Sequence, residues 1–237
     1  MANSDRVAEI LADVQKPTND GNNLAVRLVM AGRAALPVTG VGLSWMTDQG
    51  PGAMLAATDG PARVMEELQF SLGEGPCVDS SSTGVPVLHP DLERTALDLW
   101  PGFTAGALAA GIAAVFAFPL QVGGIKIGVL DLYRDVAGPL EDSDLTEALA
   151  FAAAATSVLL HLQAAAAYGD MHPDLADTLV DRAEVHQATG MIAIQLGSNL
   201  ADALTVLRAR AFASGQPIVE LAHDVVTRRL RFTDDDL

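Results

Sequence analysis

Ala114-Val-Phe-Ala-Phe-Pro-Leu-Gln121 and Ile125-Lys-Ile-Gly-Val-Leu-Asp-Leu-Tyr133 flank the dipeptide Gly123-Gly124. Both runs have strand-like composition, and Gly-Gly supplies the positive φ of a two-residue turn, so the pattern predicts an antiparallel pair. Working outward, residues 41–46 and 54–58 read as a second pair, joined by the turn-forming Thr47-Asp-Gln-Gly-Pro-Gly52. Helical spacing lies between the pairs. Residues 23–36 place Leu24, Leu28, Ala31 and Ala35 on one stripe and stop at Pro37, and Pro61 opens a helix with Val64, Leu68 and Leu72. Gly73-Glu-Gly-Pro-Cys77 reads as a tight loop. Helices interspersed with antiparallel pairs predict an α+β domain, an antiparallel sheet flanked by helices, rather than a doubly wound parallel sheet.

Beyond residue 141 the strand signal ends. Asp142 or Ser143 caps a long helix running to Tyr168. Its apolar residues fall on two faces, one with Leu145, Leu149, Ala152 and Leu159, the other with Phe151, Ala155, Val158, Leu162 and Ala165. The second set has the spacing of a packing seam. Two readings are open: one face docks on the sheet while the other meets a second copy, or the helix is buried in its own domain. Gly169-Asp-Met-His-Pro reads as a linker, and three helical patterns follow. The first covers 175–196 and closes at Gly197; the second, capped by Ser198, carries Leu200, Leu204, Leu207 and Ala211. The third starts at Pro217 with Ile218, Leu221, Val225 and Val226, giving an all-α three-helix bundle. The expected organisation is an N-terminal segment 1–22, a domain 23–141, a connecting helix and linker 142–171, and a helical domain 172–237, with a frayed acidic end at Asp234-Asp235-Asp236.

The 237 residues carry 30 acidic and 14 basic side chains, a net charge of −16, so general basicity cannot drive nucleic-acid binding. A local patch is required. Residues 175–231 hold six arginines against six acids and are therefore neutral, as a localised phosphate-binding face on an acidic chain would leave them. Cys77 stands alone, which excludes an intramolecular disulfide and fits a reducing, cytoplasmic setting. The apolar stretch 99–125 is broken by prolines and glycines, and 148–169 is mostly alanine, so neither reads as a membrane span.

The run Gln69-Phe-Ser-Leu-Gly-Glu-Gly-Pro-Cys77, followed by Val85-Pro-Val, Trp100-Pro-Gly-Phe103, Gly111-Ile, Phe118-Pro-Leu and Ile127-Gly-Val-Leu-Asp-Leu-Tyr133, resembles the GAF sensor domain in the variant of actinobacterial regulators. The run Arg182-Ala-Glu-Val-His-Gln-Ala-Thr-Gly-Met191, with Ala203, Leu207-Arg208, Ala211 and Leu221-Ala-His-Asp-Val-Val226, resembles the ANTAR domain, an RNA-binding antitermination module. The resemblance implies a six-stranded antiparallel sheet flanked by helices, then a three-helix bundle, commonly in homodimers. It also implies that the first half responds to a signal while the second grips hairpin RNA so that a terminator cannot form. Arg182, Gln187, Ala188 and Gly190 fall on matching positions of its first helix, and Ala203, Leu207, Arg208 and Ala211 on its second. Thr189 departs from the pattern, where many members carry lysine, and Arg210 is placed to compensate.

The expected RNA contacts are therefore Arg182, Gln187, Ala188, Thr189, Gly190, Arg208 and Arg210. Trp45, Cys77, Trp100, Phe103, Phe116 and Phe118 are the side chains available to line a pocket for an unidentified small-molecule signal. Cys77 lies between Glu74 and Asp79, which opposes a thiolate, so a small buried hydrophobe is the plainer reading. No nucleophile triad or P-loop appears, Gly73-Glu-Gly-Pro lacks the third glycine and following helix of a dinucleotide fingerprint, and the histidines lack metal spacing. A regulator without catalytic activity, cofactor or metal is expected. The alternative is a dimeric protein-interaction scaffold that has lost RNA binding.

Overall fold

The computed structural model describes residues 2–16, 23–47, 50–166 and 173–233. The linker, Tyr168, Asp48-Gln49 and the terminal acids lie outside these, as does the side chain of Ala165. The chain begins with helices α1 (Ala2–Gln15) and α2 (Leu24–Ala35), the second capped by the Asn23 side chain on the Val26 N–H. Strands β1 (Gly40–Thr47) and β2 (Gly50–Ala57) form the first hairpin. Next come α3 (Gly60–Leu72), α4 (Pro76–Thr83), the short β3 (Val87–His89), α5 (Leu92–Thr95) and α6 (Pro101–Ala109). Strands β4 (Ala114–Val122) and β5 (Ile125–Arg134) are the second hairpin, turning at Gly123 with φ +59°. The long α7 (Asp142–Ala166) follows.

The described strands make one antiparallel sheet of five, ordered β2-β1-β5-β4-β3, where the resemblance implied six. Strand alternation sorts its side chains onto two faces. Val41, Leu43, Phe116, Phe118, Leu120, Leu130 and Leu132 join one core cluster with α1, α2 and α7. The opposite face carries Ser44, Met46, Ala117, Val129, Asp131 and Tyr133 and is covered by α3, α4 and α6.

The packing of α7 corrects one of the two open readings. Phe151, Ala155, Val158 and Leu162, the seam-like set, are buried inside the core of the α+β domain, so that face meets the chain's own sheet. Leu149 and Leu160 point outward. By length and composition α7 could cross a membrane, but half of its apolar window is buried against the sheet, as in a core helix. The N-terminal segment is also more structured than its polar sequence suggests, since Ile10 and Val14 of α1 enter the same core and Arg6 pairs with Glu147 at 2.6 Å.

Helices α8 (Pro173–Leu196), α9 (Leu200–Ser214) and α10 (Ile218–Val226) form the second unit. Gly197 (φ +62°) turns the chain after α8, and α9 is capped by Asn199 rather than Ser198, its side chain accepting from the Asp202 N–H. Val185, Ala188, Ile192, Leu207, Leu221 and Val225 fill the bundle interior. One residue of the first unit joins them, Phe70 of α3.

Candidate functional site

Phe70 sits where the two units meet because α3 is packed on three sides. Its expected stripe, Val64, Leu68 and Leu72, is not the buried one: Val64 is exposed, while Met65, Glu66, Gln69 and Phe70 are enclosed. The helix packs on β1 and β2 on one side, on α6 on another and on α9 on a third, so most of its circumference is covered.

The expected RNA residues divide accordingly. Arg182 is 5% exposed, with its Cζ 3.7 Å from the centroid of the Phe70 ring and its Nη2 3.6 Å from Glu67 Oε2. Arg208 donates from Nε to the Phe70 carbonyl at 3.0 Å, and its Cζ lies 6.0 Å from the same ring. Burial and the adjacent Arg182 charge pull the Arg208 guanidinium down to about 10, so it remains cationic at neutral pH. Gly73, the left-handed C-cap of α3 (φ +68°), admits that guanidinium: a Cβ there would lie 2.5 Å from Arg208 Nη1. Ala188 and Thr189 face inward, the Thr189 hydroxyl donating to the Val185 carbonyl at 2.7 Å. Gln187 and Arg210 are on the surface and Gly190 is half-buried. The set is thus not one open face. Its two arginines Arg182 and Arg208 rest on α3 of the first unit.

Behind α3 lies a polar cluster that sequence reading did not single out. The Ser44 hydroxyl donates to Glu66 Oε2, the Cys77 N–H donates to Gln69 Oε1 at 2.6 Å, and Asp131 lies beside them. A side chain on Gly42, the register partner of Asp131, would overlap the Glu66 carboxyl, so the bare α-carbon makes its berth. Both Asp131 oxygens, Glu66 Oε1 and Gln69 Nε2 are buried with no well-formed hydrogen bond. Burial, then the neighbouring Glu66 charge, pushes the Asp131 carboxyl well above its ordinary value. Burial also raises Glu66, against the pull of Ser44 and Arg182. The fully buried Cys77 thiol is pushed up by burial and by the two carboxyls, and its Sγ lies 3.8 Å from Met46 Sδ. The available signal was Asp131 itself, a charge in the middle of an apolar strand.

The six side chains expected to line one pocket are parted by the sheet. Trp45, Phe116 and Phe118 pack on the α2/α7 side, whereas Cys77, Trp100 and Phe103 lie on the α3/α4/α6 side. Trp100 and Phe103 meet edge-on at 6.1 Å, and the Trp100 indole donates to Asp79 at 3.0 Å. A cleft of about 540 Å³ opens beside Met46, Val78, Ser81 and Lys126. A second, of about 420 Å³, lies between the units against Gly73, Glu74, Arg208 and Phe212. None of the six lines either cleft. Gly75-Pro76 does open a helix, α4, contrary to the loop reading.

The sheet, its two helical layers and the buried face under α3 define a sensor-type α+β domain. The GAF domain family model matches residues 27–160, more than half of the chain, and the chain belongs to that family. The ANTAR domain model matches residues 174–226, the helical bundle, so the architecture is that of a GAF–ANTAR regulator. Both are regulatory, non-catalytic domain types. Among solved structures, a domain of a two-component sensor histidine kinase from Sinorhizobium meliloti is 20% identical, with a TM-score of 0.52 over 65% of this chain and 100% of that one. The GAF domain of a phosphoenolpyruvate-protein phosphotransferase from Acinetobacter is 10% identical, with a TM-score of 0.50 over 69% and 95%. No curated protein matches.

Proposed function

We propose that this chain is a cytoplasmic, signal-responsive regulator that binds RNA stem-loops through its ANTAR bundle and so prevents transcription termination, and that it is not an enzyme. The observation that carries the reading is the convergence of Arg182 from α8 and Arg208 from α9 on one aromatic ring. Two guanidiniums in that arrangement suit RNA, since each can fork onto a phosphate and stack on a splayed base. Gln187 and Arg210 are exposed on the same two helices, and Ala188, Thr189 and Gly190 follow Gln187 along α8. The GAF domain takes a small-molecule signal. Self-association belongs to the same proposal, with Leu149 and Leu160 as the large apolar side chains that α7 leaves outside.

The test is crosslinking of the tagged protein in its host, with sequencing of attached RNA and an Arg182→Ala/Arg208→Ala control. Stem-loops next to terminators, enriched with the native chain and lost with the control, are the expected result. A second reading, a scaffold without RNA binding, draws on the burial of Arg182 and the partial burial of Arg208 against Phe70. Equal RNA recovery from native and control chains would favour it.

A further inference from the structure

The arginine pair is not empty: α3 offers it a carboxylate, an aromatic face and a carbonyl oxygen. Glu67 and Phe70 are three residues apart on α3, so one helical turn aligns an anion and a π-face on the same edge. A nucleotide presents the same two features to a protein, a phosphate and a base. Arg182 engages both, and Arg208 takes the Phe70 carbonyl.

We propose that this edge of α3 is an internal nucleotide mimic, so that the sensor domain and RNA compete for the same two guanidiniums. The inference rests on the RNA-binding reading above. Three observations support it.

First, the docked state is incompletely satisfied: Arg208 Nη2 is buried without a hydrogen-bond partner, and Glu67, which pairs with Arg182, is half exposed. A phosphate offers more acceptor oxygens than a single carbonyl, which favours the competitor. Second, the contact is fitted. Phe70 is buried within the ANTAR core cluster, and the bare α-carbon of Gly73 lets the Arg208 guanidinium approach. Third, α3 is two-faced. Glu66 and Gln69 point to the buried cluster with Asp131, and their immediate neighbours Glu67 and Phe70 point to the arginines. A rearrangement among the buried polar groups is thus one residue away from the mimic.

The full-length chain is compared with Phe70→Leu/Glu67→Gln, which keeps an apolar filler but removes the ring and the charge. Phe70→Ala serves as a second, stronger opening. Affinity is measured by filter retention of an RNA stem-loop pool with a randomised loop, and then on the most enriched hairpin. A dicarbonyl reagent, mapped by mass spectrometry, reports exposure of Arg182 independently of RNA. The expected result is that Arg182 becomes labelled and hairpin affinity rises about tenfold, as when a clamp closed in roughly nine molecules of ten is released. Arg182 remaining protected in both variants would overturn the proposal, because α3 would not be what holds it. Arg182 labelled with hairpin affinity unchanged would overturn it too. If Arg182→Ala/Arg208→Ala then abolishes retention, only the competition has failed; if it leaves retention unchanged, the RNA face itself has failed.

Discussion

Asp131→Asn is expected to change the pH dependence of stability. Asp131 is 1% exposed, its two oxygens lack well-formed hydrogen bonds, and burial with the Glu66 charge raises its carboxyl well above the usual range. The native chain therefore keeps a proton that the unfolded chain releases near pH 4. In that interval the unfolded state binds fewer protons, so native stability falls as pH rises, by about 1.4 kcal/mol per pH unit for one retained proton. The loss starts at the unfolded value and ends only where the native carboxyl ionises. Asparagine is isosteric with the protonated acid and carries no such proton. Its amide can also donate to Glu66 Oε1 and accept from Gln69 Nε2, neither of which has a well-formed hydrogen bond in the native chain. The variant should thus match the native chain near pH 4 and gain on it by about 1.4 kcal/mol per unit above, until the native Asp131 carboxyl ionises and the gap levels off. Urea unfolding across a pH series, followed by the fluorescence of Trp45 and Trp100, measures the gap. Parallel stability curves would refute the reasoning, since they would mean that Asp131 ionises alike in both states.

Val158→Glu would produce monomers if that face were an intersubunit seam. With Val158 buried in the sensor core, the substitution should instead lower stability by at least about 3 kcal/mol, visible as a depressed melting temperature. Gly42→Ala should cost about 1–3 kcal/mol in urea unfolding, because the new methyl overlaps the Glu66 carboxyl, and pairing it with Glu66→Ala should recover much of that. Cys77, buried and with its thiol pushed up, should resist iodoacetamide at neutral pH until the chain unfolds. Alkylation of the native chain at the unfolded rate, read by mass spectrometry, would contradict that placement.

The hairpin at Gly123-Gly124, the α+β class, the limits of α2 and the three C-terminal helices were all legible, because each depends on local periodicity and on turn or cap residues. The short β3 and α4 were not. Three residues carry no period, and Pro76–Thr83 is polar enough to read as a loop. The aromatic pocket failed for a different reason. Alternation places Phe116 and Phe118 on one face of a strand, but not which helices cover that face.

The sequence by itself determined two regulatory domains, an acidic chain with a neutral helical module, and an arginine pair set in the motif of an RNA-binding family. Only the tertiary structure decided what those arginines touch. Arg182 and Glu67 are more than a hundred residues apart, and their meeting across Phe70 follows from how the bundle docks on α3. The same holds for Glu66, Gln69 and Asp131: the first two look like ordinary polar residues of a helix, only Asp131 stands out in its apolar strand, and burial in one low-dielectric site couples them. Local sequence sets local conformation, whereas solvent exclusion and long-range electrostatics arise only when distant segments share a volume.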